Sequence, residues 1–410
     1  MERLIFHVDV NSAFLSWEAA KRVLEGGQDL RLIPSAIAGE RSKRTGVILA
    51  KSNPAKAFGV KTGEPVLMAK AKCPKLVLAP PDFALYESCS DAFIKICRKY
   101  SPVVEKWSID ECFIDMSGMQ AIYPEPLLAA NKLKNEILDT LGFSVNIGVA
   151  NNKLLAKMAS DFEKPNKVHT LFSHELETKL WPQNVRALYF VGRATAERLE
   201  RAGIFTIGDI AKSDILRLKA LIGVKAGQQL YEYSNGRDSS PVLLQAELPK
   251  GYSAATTLEE DVRTHLAAYN VLLSLSESVA ARLRADGAKT ACVAVNIRSN
   301  KFKNSSRQMQ LKTETDITSE IFSISKKLFL ELWDGETPLR LLGLSLTNLS
   351  WGALEQASFF NEARERERAV DKTIDKIRSK YGVDAISRCS LSKPAAKKSR
   401  QIQQAKRYED

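Results

Sequence analysis

Phe6-His7-Val8-Asp9-Val10-Asn11-Ser12-Ala13-Phe14, read together with the distant Trp107-Ser108-Ile109-Asp110-Glu111-Cys112-Phe113-Ile114-Asp115, decides the fold expected of this 410-residue chain. Leu4 to Val10 reads as a buried strand carrying an acid near its end, followed by a turn and a helix over Asn11 to Leu24. Val103 to Met116 reads as a β-hairpin with acids at its turn. Adjacent residues on a regular strand point to opposite faces, so Asp110 and Glu111 converge only if they sit at a bend. Asp9, Asp110 and Glu111 would then meet at one sheet edge, where three bare carboxylates repel one another. Bound divalent cations remove that penalty, and hard carboxylate oxygens suit Mg²⁺. Two such ions roughly 4 Å apart can activate a hydroxyl nucleophile and stabilise a leaving phosphate. A single Asp is more often a solvated turn or cap residue; the combination is what carries the chemistry.

Outward from these segments, Asp82 to Tyr100 has helical spacing of apolar residues, Leu127 to Leu141 is amphipathic, and Phe143 to Val149 reads as a strand. The order β-α-β-β-α-β predicts a ferredoxin-like sheet with helices on one face. Residues 31–75, rich in Lys, Gly and Ser, read as a small basic subdomain. Val185 to Tyr233 reads as short helices broken by glycines, and Asn235 to Gly251 as a polar linker. Residues 252–350 read as a separate α+β unit, with a helix at Tyr269–Asp286 and strands at Thr290–Ile297 and Arg340–Leu346. Beyond Gly352 the chain turns charged and ends in a basic tail that includes Lys397, Lys398, Arg400, Lys406 and Arg407.

The whole chain carries 60 Lys plus Arg against 48 Asp plus Glu, a formal charge of +12, which favours a polyanionic partner. With 44% hydrophobic residues over 410 positions, several cores are expected. The six cysteines show no C-x-x-C spacing, which argues against a zinc site and a disulfide framework. No signal peptide and no uninterrupted 18-residue apolar run is seen, so a cytoplasmic protein without membrane association is expected.

The two acidic motifs closely resemble the catalytic motifs of the Y-family (translesion) DNA polymerases, nearest to the DNA polymerase IV group. Asn146-Ile147-Gly148-Val149-Ala150-Asn151-Asn152-Lys153-Leu154-Leu155-Ala156-Lys157-Met158-Ala159-Ser160-Asp161 and Lys164-Pro165-Asn166 resemble the same family. The resemblance implies an α+β multidomain protein: a ferredoxin-like palm (residues 1–15 and 75–168), fingers (16–74), a helix-hairpin-helix thumb (169–236), a linker (237–251), an α+β little finger (252–350) and a tail (351–410). It implies a low-fidelity, lesion-bypassing polymerase that adds dNTPs to the primer 3′ end of primer–template DNA with two Mg²⁺ ions, replaceable by Mn²⁺, working as a monomer. It casts Asp9 and Asp110 as metal-bridging acids, Glu111 as the acid at the primer hydroxyl, and the Val10 carbonyl as a minor ligand. Phe14 resembles the bulky gate against a ribose 2′-hydroxyl, a place that also suits a core aromatic. Lys164 resembles a residue contacting the triphosphate.

The fingers depart from the family pattern. Ala50 stands where a hydroxyl is expected, Asn53 where a Tyr is, and Lys56 where an Arg is. Lysine is a point charge without the planar fork of arginine, so Lys51 or Lys56, with Lys164, is expected to supply the charge.

Phe190 to Asp209 reads as a helix-hairpin-helix whose Gly192, Arg193 and Thr195 turn offers backbone N–H groups to a phosphate. Arg298, Lys301, Lys303 and Arg307 form a basic strand-and-turn run suited to template phosphates. Gln356, Phe359 and Phe360 resemble a peptide that docks on a sliding clamp. Two other readings compete: a polymerase-shaped clamp and DNA adaptor without catalysis, and a nucleotide cyclase, which has no use for a DNA grip.

Overall fold

Ile5–Val10 (β1) is buried along its whole length because both of its faces are covered. The computed structural model describes residues 3–39, 46–244, 247–352 and 362–388. They form two compact units, divided between Glu247 and Leu248.

In the first unit, β1 is followed by Ala13–Leu24 (α1), then Ser35–Ala38 (β2), Ile48–Lys51 (β3), Asn53–Ala57 (α2), Val66–Lys72 (α3) and Val77–Ala79 (β4). The three strands pair in the order β3-β2-β4, a small sheet of its own. Phe83–Cys97 (α4), Val104–Lys106 (β5), Glu111–Asp115 (β6), Pro126–Leu141 (α5), Val145–Ala150 (β7), Lys153–Ser160 (α6) and Val168–Thr170 (β8) complete the main sheet, ordered β5-β6-β1-β7-β8. Its first four strands follow the expected β-α-β-β-α-β order, and β8 adds a fifth.

Alternation along β1 separates the two layers. Phe6, Val8 and Val10 enter one core with Tyr86 and Phe93 of α4 and Leu133 and Ile137 of α5. Ile5 faces the other side, where α6 packs with Phe113. Helices therefore cover both faces, not one as the sequence suggested. The reason lies in Gly148 on β7: a Cβ there would stand 1.9 Å from the Ala156 carbonyl oxygen and 2.6 Å from the Ser160 nitrogen. Only glycine lets the α6 backbone settle so close to the sheet. Asn152 starts α6 by accepting from the Leu155 N–H.

Four helices follow: Arg193–Arg201 (α7), Ile207–Lys212 (α8), Ile215–Ile222 (α9) and Val224–Ser234 (α10). The next segment, read as linker, is tied to α6 and to the sheet. Asp238 accepts from the Leu154 N–H at 3.1 Å, and the Leu243 N–H donates to Glu105 at 2.8 Å.

The second unit comprises Gly251–Val262 (β9), His265–Ala285 (α11), Ala288–Ser299 (β10), Asn304–Thr315 (β11), Thr318–Leu332 (α12), Leu339–Trp351 (β12) and Glu362–Tyr381 (α13). Its sheet runs β11-β10-β12-β9, antiparallel throughout, with α11 and α12 packed on one face. The tail expected from residue 351 onward is corrected by α13, which is pinned to this unit through charge. Arg284 and Asp371, both nearly inaccessible, approach to 3.3 Å, and Arg284 also meets Asp375 at 2.7 Å. A helix rich in charge docks here because its partners are charged too. Among the described residues no helix is long and apolar enough to cross a membrane.

Candidate active site

Strand pairing brings the acids together. In the β1–β6 register Asp9 lies opposite Glu111, so the two share a face, and the Val10 N–H donates to the Asp110 carbonyl at 3.0 Å. Asp110 precedes β6 at the bend, as the hairpin reading required. Its carboxylate accepts from Ser108 Oγ at 2.6 Å.

Lysines hold the other two acids. Lys164 Nζ lies 2.8 Å from Asp9 and 2.8 Å from Asp161. Lys157 Nζ, one turn beyond Lys153 on α6, lies 2.8 Å from Glu111. Among the described residues no three His, Cys, Asp or Glu side chains stand together as a ready metal cage; these carboxylates are neighbours through the backbone while turned toward their lysines. Beneath them the imidazole of His7, fully buried, meets Ser160 Oγ at 2.8 Å through Nδ1, and its Nε2 sits 3.7 Å from Glu111 without a hydrogen bond.

The acids are electrostatically unequal. Burial pushes the Asp9 carboxyl up to about 6, more than Lys164 pulls it down. Burial also works against charge on Glu111, but His7 and Lys157 outweigh it and hold the carboxyl at about 2. Burial lowers the His7 pKa below its ordinary value. A buried anion with one lysine for company is under-compensated. That strain, and an all-oxygen donor set, fit a divalent cation between Asp9 and Asp110.

Asp9, Val10 and Asp110 line a cleft of about 230 Å³ together with Phe14, Ala50, Lys51 and Thr62. Phe14, half-buried, stacks on Tyr86 at 4.5 Å between ring centroids, so it is a core aromatic and a wall of the cleft at once. Of the fingers residues singled out, Lys51 lines the cleft, and its Nζ donates to Thr62 Oγ1 at 3.1 Å. Burial, and then the neighbouring Lys56, lower its pKa. Asn53 and Lys56 lie exposed on the short helix α2 and do not line the cleft. Thr62 brings the hydroxyl that Ala50 lacks, a contribution no spacing in the sequence announced. Lys157 and His7 were also missed, though i, i+4 spacing from Lys153 foreshadows Lys157 on the same helical face.

Elsewhere in the first unit, Gly192 caps α7 without a side-chain bond, leaving the first N–H groups of that helix open. Arg193 is exposed and pairs with Glu197 at 2.8 Å, and Thr195 is half-buried. In the second unit, Lys301 and Lys303 are exposed in the β10–β11 turn, and Arg298 on β10 donates to Asn304 at 2.7 Å. Arg307 differs from them. It pairs with Val295, whose side chain enters the helix-covered core, and it binds Glu331 of α12 at 2.7 Å. It therefore does not share a face with Arg298. Gln356, Phe359 and Phe360 lie outside the described residues.

Residues 8–161 match the impB/mucB/samB family, residues 249–359 the C-terminal domain of that family, and residues 187–238 a thumb domain described from DNA polymerase-iota. A DNA polymerase IV of Clostridium acetobutylicum is 40% identical over 397 residues, covering 95% of this chain and 98% of the relative. One from Alkaliphilus oremlandii is 34% identical over 402 residues, covering 95% and 99%. Among solved structures, a chimeric Y-family DNA polymerase superposes with a TM-score of 0.74 at 22% identity, over 85% of this chain and 100% of the other, a likeness of fold.

Proposed function

The chain belongs to the impB/mucB/samB family, the Y-family DNA polymerases of the DNA polymerase IV group, and from that premise we propose that Asp9, Asp110 and Glu111 are its catalytic acids. The protein is a translesion DNA-directed DNA polymerase, which takes primer–template DNA and dNTPs and requires a divalent metal. One observation carries the residue assignment: two segments a hundred residues apart place Asp9 opposite Glu111 and bond Val10 to Asp110.

Asp9, Asp110 and the Val10 carbonyl would hold two Mg²⁺ ions, with Glu111 completing the site on the primer side. Such a pair, when bound, supplies the activation of the primer 3′-hydroxyl and the stabilisation of the departing pyrophosphate. The chain's own part is positioning and charge. Lys164, shared between Asp9 and Asp161, and Lys51 in the cleft wall are the cations at hand for triphosphate oxygens. Phe14 closes the floor where a ribose 2′-hydroxyl would enter. Open N–H groups behind Gly192, with Arg193 and Thr195, receive a DNA phosphate without reading sequence. Arg298, Lys301 and Lys303 serve the template strand in the same way, and Gln356, Phe359 and Phe360 anchor a sliding clamp. The protein acts as a monomer.

Primer extension with Mg²⁺ tests the assignment. Asp110→Ala should reduce the single-turnover rate by three orders of magnitude or more, about 4 kcal/mol in the barrier, while leaving DNA affinity within about twofold. A rate within tenfold of the parent rejects Asp110 as a catalytic acid.

A further inference from the structure

A second and larger cavity, about 620 Å³, opens in the first unit beside the acids. Its volume suits a small ligand, and its walls are aromatic: Trp107, Phe113, Tyr189, Phe190 and Tyr233. Two of these rings are held open to solvent, Trp107 at 45% and Phe190 at 59% exposure. Phe190 keeps a φ of +71°, a conformation bulky residues rarely adopt, with its ring packed on Tyr189 at 4.4 Å. A strained aromatic that persists at a surface points to a use for the ring.

Polar groups in the walls divide by sign. The Glu105 carboxylate is neutralised by Lys153 at 2.7 Å, and Lys153 also underlies the rings of Trp107 and Phe113, at 4.8 and 4.7 Å from their centroids. Asp238 is occupied by the N–H groups of Leu154 and Ser240. Arg98, Lys106 and Lys157 supply positive charge, Lys157 shared with Glu111 and Lys106 in an exposed pair with Asp91, while Glu247 adds a further carboxylate to the lining. Flat rings with cations around them are what a nucleotide needs: a face for the base to stack on and charge for its phosphate.

Location selects which nucleotide. Trp107 is bonded through its N–H to the Glu111 carbonyl, at 3.0 Å, and Lys157 joins the cavity wall to the Glu111 carboxylate. Tyr189 and Phe190 lead directly into the Gly192 turn. The cavity thus lies between the acids proposed as catalytic and the turn proposed to receive a DNA phosphate. We propose that this cavity receives the unpaired 3′-terminal nucleotide of a primer whose end is mismatched, stacking its base on Trp107 and Tyr189 and so withdrawing the terminus from the catalytic acids. The proposal rests on the polymerase reading.

The test uses the full-length protein bound, without dNTP, to primers ending in 2-aminopurine, a base whose fluorescence is quenched by stacking. Opposite a mismatched template base, the wild type and Tyr189→Phe should both show emission about threefold or more below that of Tyr189→Leu and Trp107→Leu, since only the first two keep both rings. Opposite thymine all four should give the same signal. Folding is checked by thermal unfolding, and extension of a correctly paired primer checks the polymerase reading separately. If the wild type extends that primer but its mismatched complex is as bright as Tyr189→Leu, the cavity proposal is overturned and the polymerase reading stands. Absence of extension by the wild type would sink the polymerase reading instead.

Discussion

Two lysines of the fingers differ in what their positions allow. Lys51 stands in the wall of the cleft lined by Asp9 and Asp110, whereas Lys56 projects from α2 into solvent. Lys51→Ala is therefore expected to raise the KM for dNTP about tenfold, the loss of a charge-assisted hydrogen bond of about 1.5 kcal/mol, and Lys56→Ala by less than about twofold. Steady-state kinetics on one primer–template checks this, and the reverse order would refute it. Acid should weaken the fold through Glu111 and His7. Glu111 titrates at about 2 in the folded chain against an ordinary 4.5. Its stabilisation is complete above pH 4.5 and is lost as pH falls toward 2, on the order of 3 kcal/mol in all. His7 also titrates below its ordinary 6.5 when folded, so the unfolded chain takes up that proton first and stability already declines below pH 6.5. Asp9, at about 6 when folded against an ordinary 3.8, works the other way and favours folding as pH falls through 6. In an Asp9→Asn background the urea midpoints at pH 7, 5.5 and 4 should therefore fall in that order, and adding Glu111→Gln should flatten the step between 5.5 and 4. The convergence of Asp9, Asp110 and Glu111 at one sheet edge was legible in the sequence because acids embedded in apolar runs are conspicuous. Thr62 and His7 were not, since a threonine in a loop and a histidine in a strand have many ordinary uses.

Among the elements, α6 decides whether the site exists, because it carries both Lys153 and Lys157 and sits against β7 with no clearance at Gly148. Gly148→Ala places a methyl against backbone, which cannot rotate away. The expected loss is about 2–4 kcal/mol of stability, visible as a lower thermal midpoint. Because α6 must also shift, extension activity should fall even at temperatures where the variant stays folded. An unchanged midpoint would mean the helix can slide freely. β1, β6 and β7 of the main sheet were readable because both faces are covered and their residues run apolar, whereas β8 was not foreseen. β11, with only Met309 and Leu311 apolar among its polar residues, was missed: it is an edge strand whose outer face meets water. α13 was read as tail because its sequence is charged along its length, yet ion pairs to Arg284 fix it in place. Composition alone does not distinguish a solvated charge from one with a buried partner.

At the scale of the molecule, a net charge of +12 is distributed over two units, each with its own hydrophobic core. Binding to primer–template DNA should weaken steeply with salt, because each neutralised phosphate releases its condensed counterions. Lys303→Ala should reduce the slope of log affinity against log salt by about 1, uniformly across DNA sequences. The same change at Arg307, already committed to Glu331, should leave the slope nearly unaltered. A slope indifferent to Lys303 would remove the β10–β11 turn from the DNA-contacting surface. The docking of α13 has a mechanical corollary. Because β12 ends at Trp351 and α13 begins at Glu362 in the same unit, the chain is anchored to that unit on both sides of the residues between them. A partner captured by a residue numbered between those two elements is thereby joined to the second unit from both sides, as it would not be by a free tail.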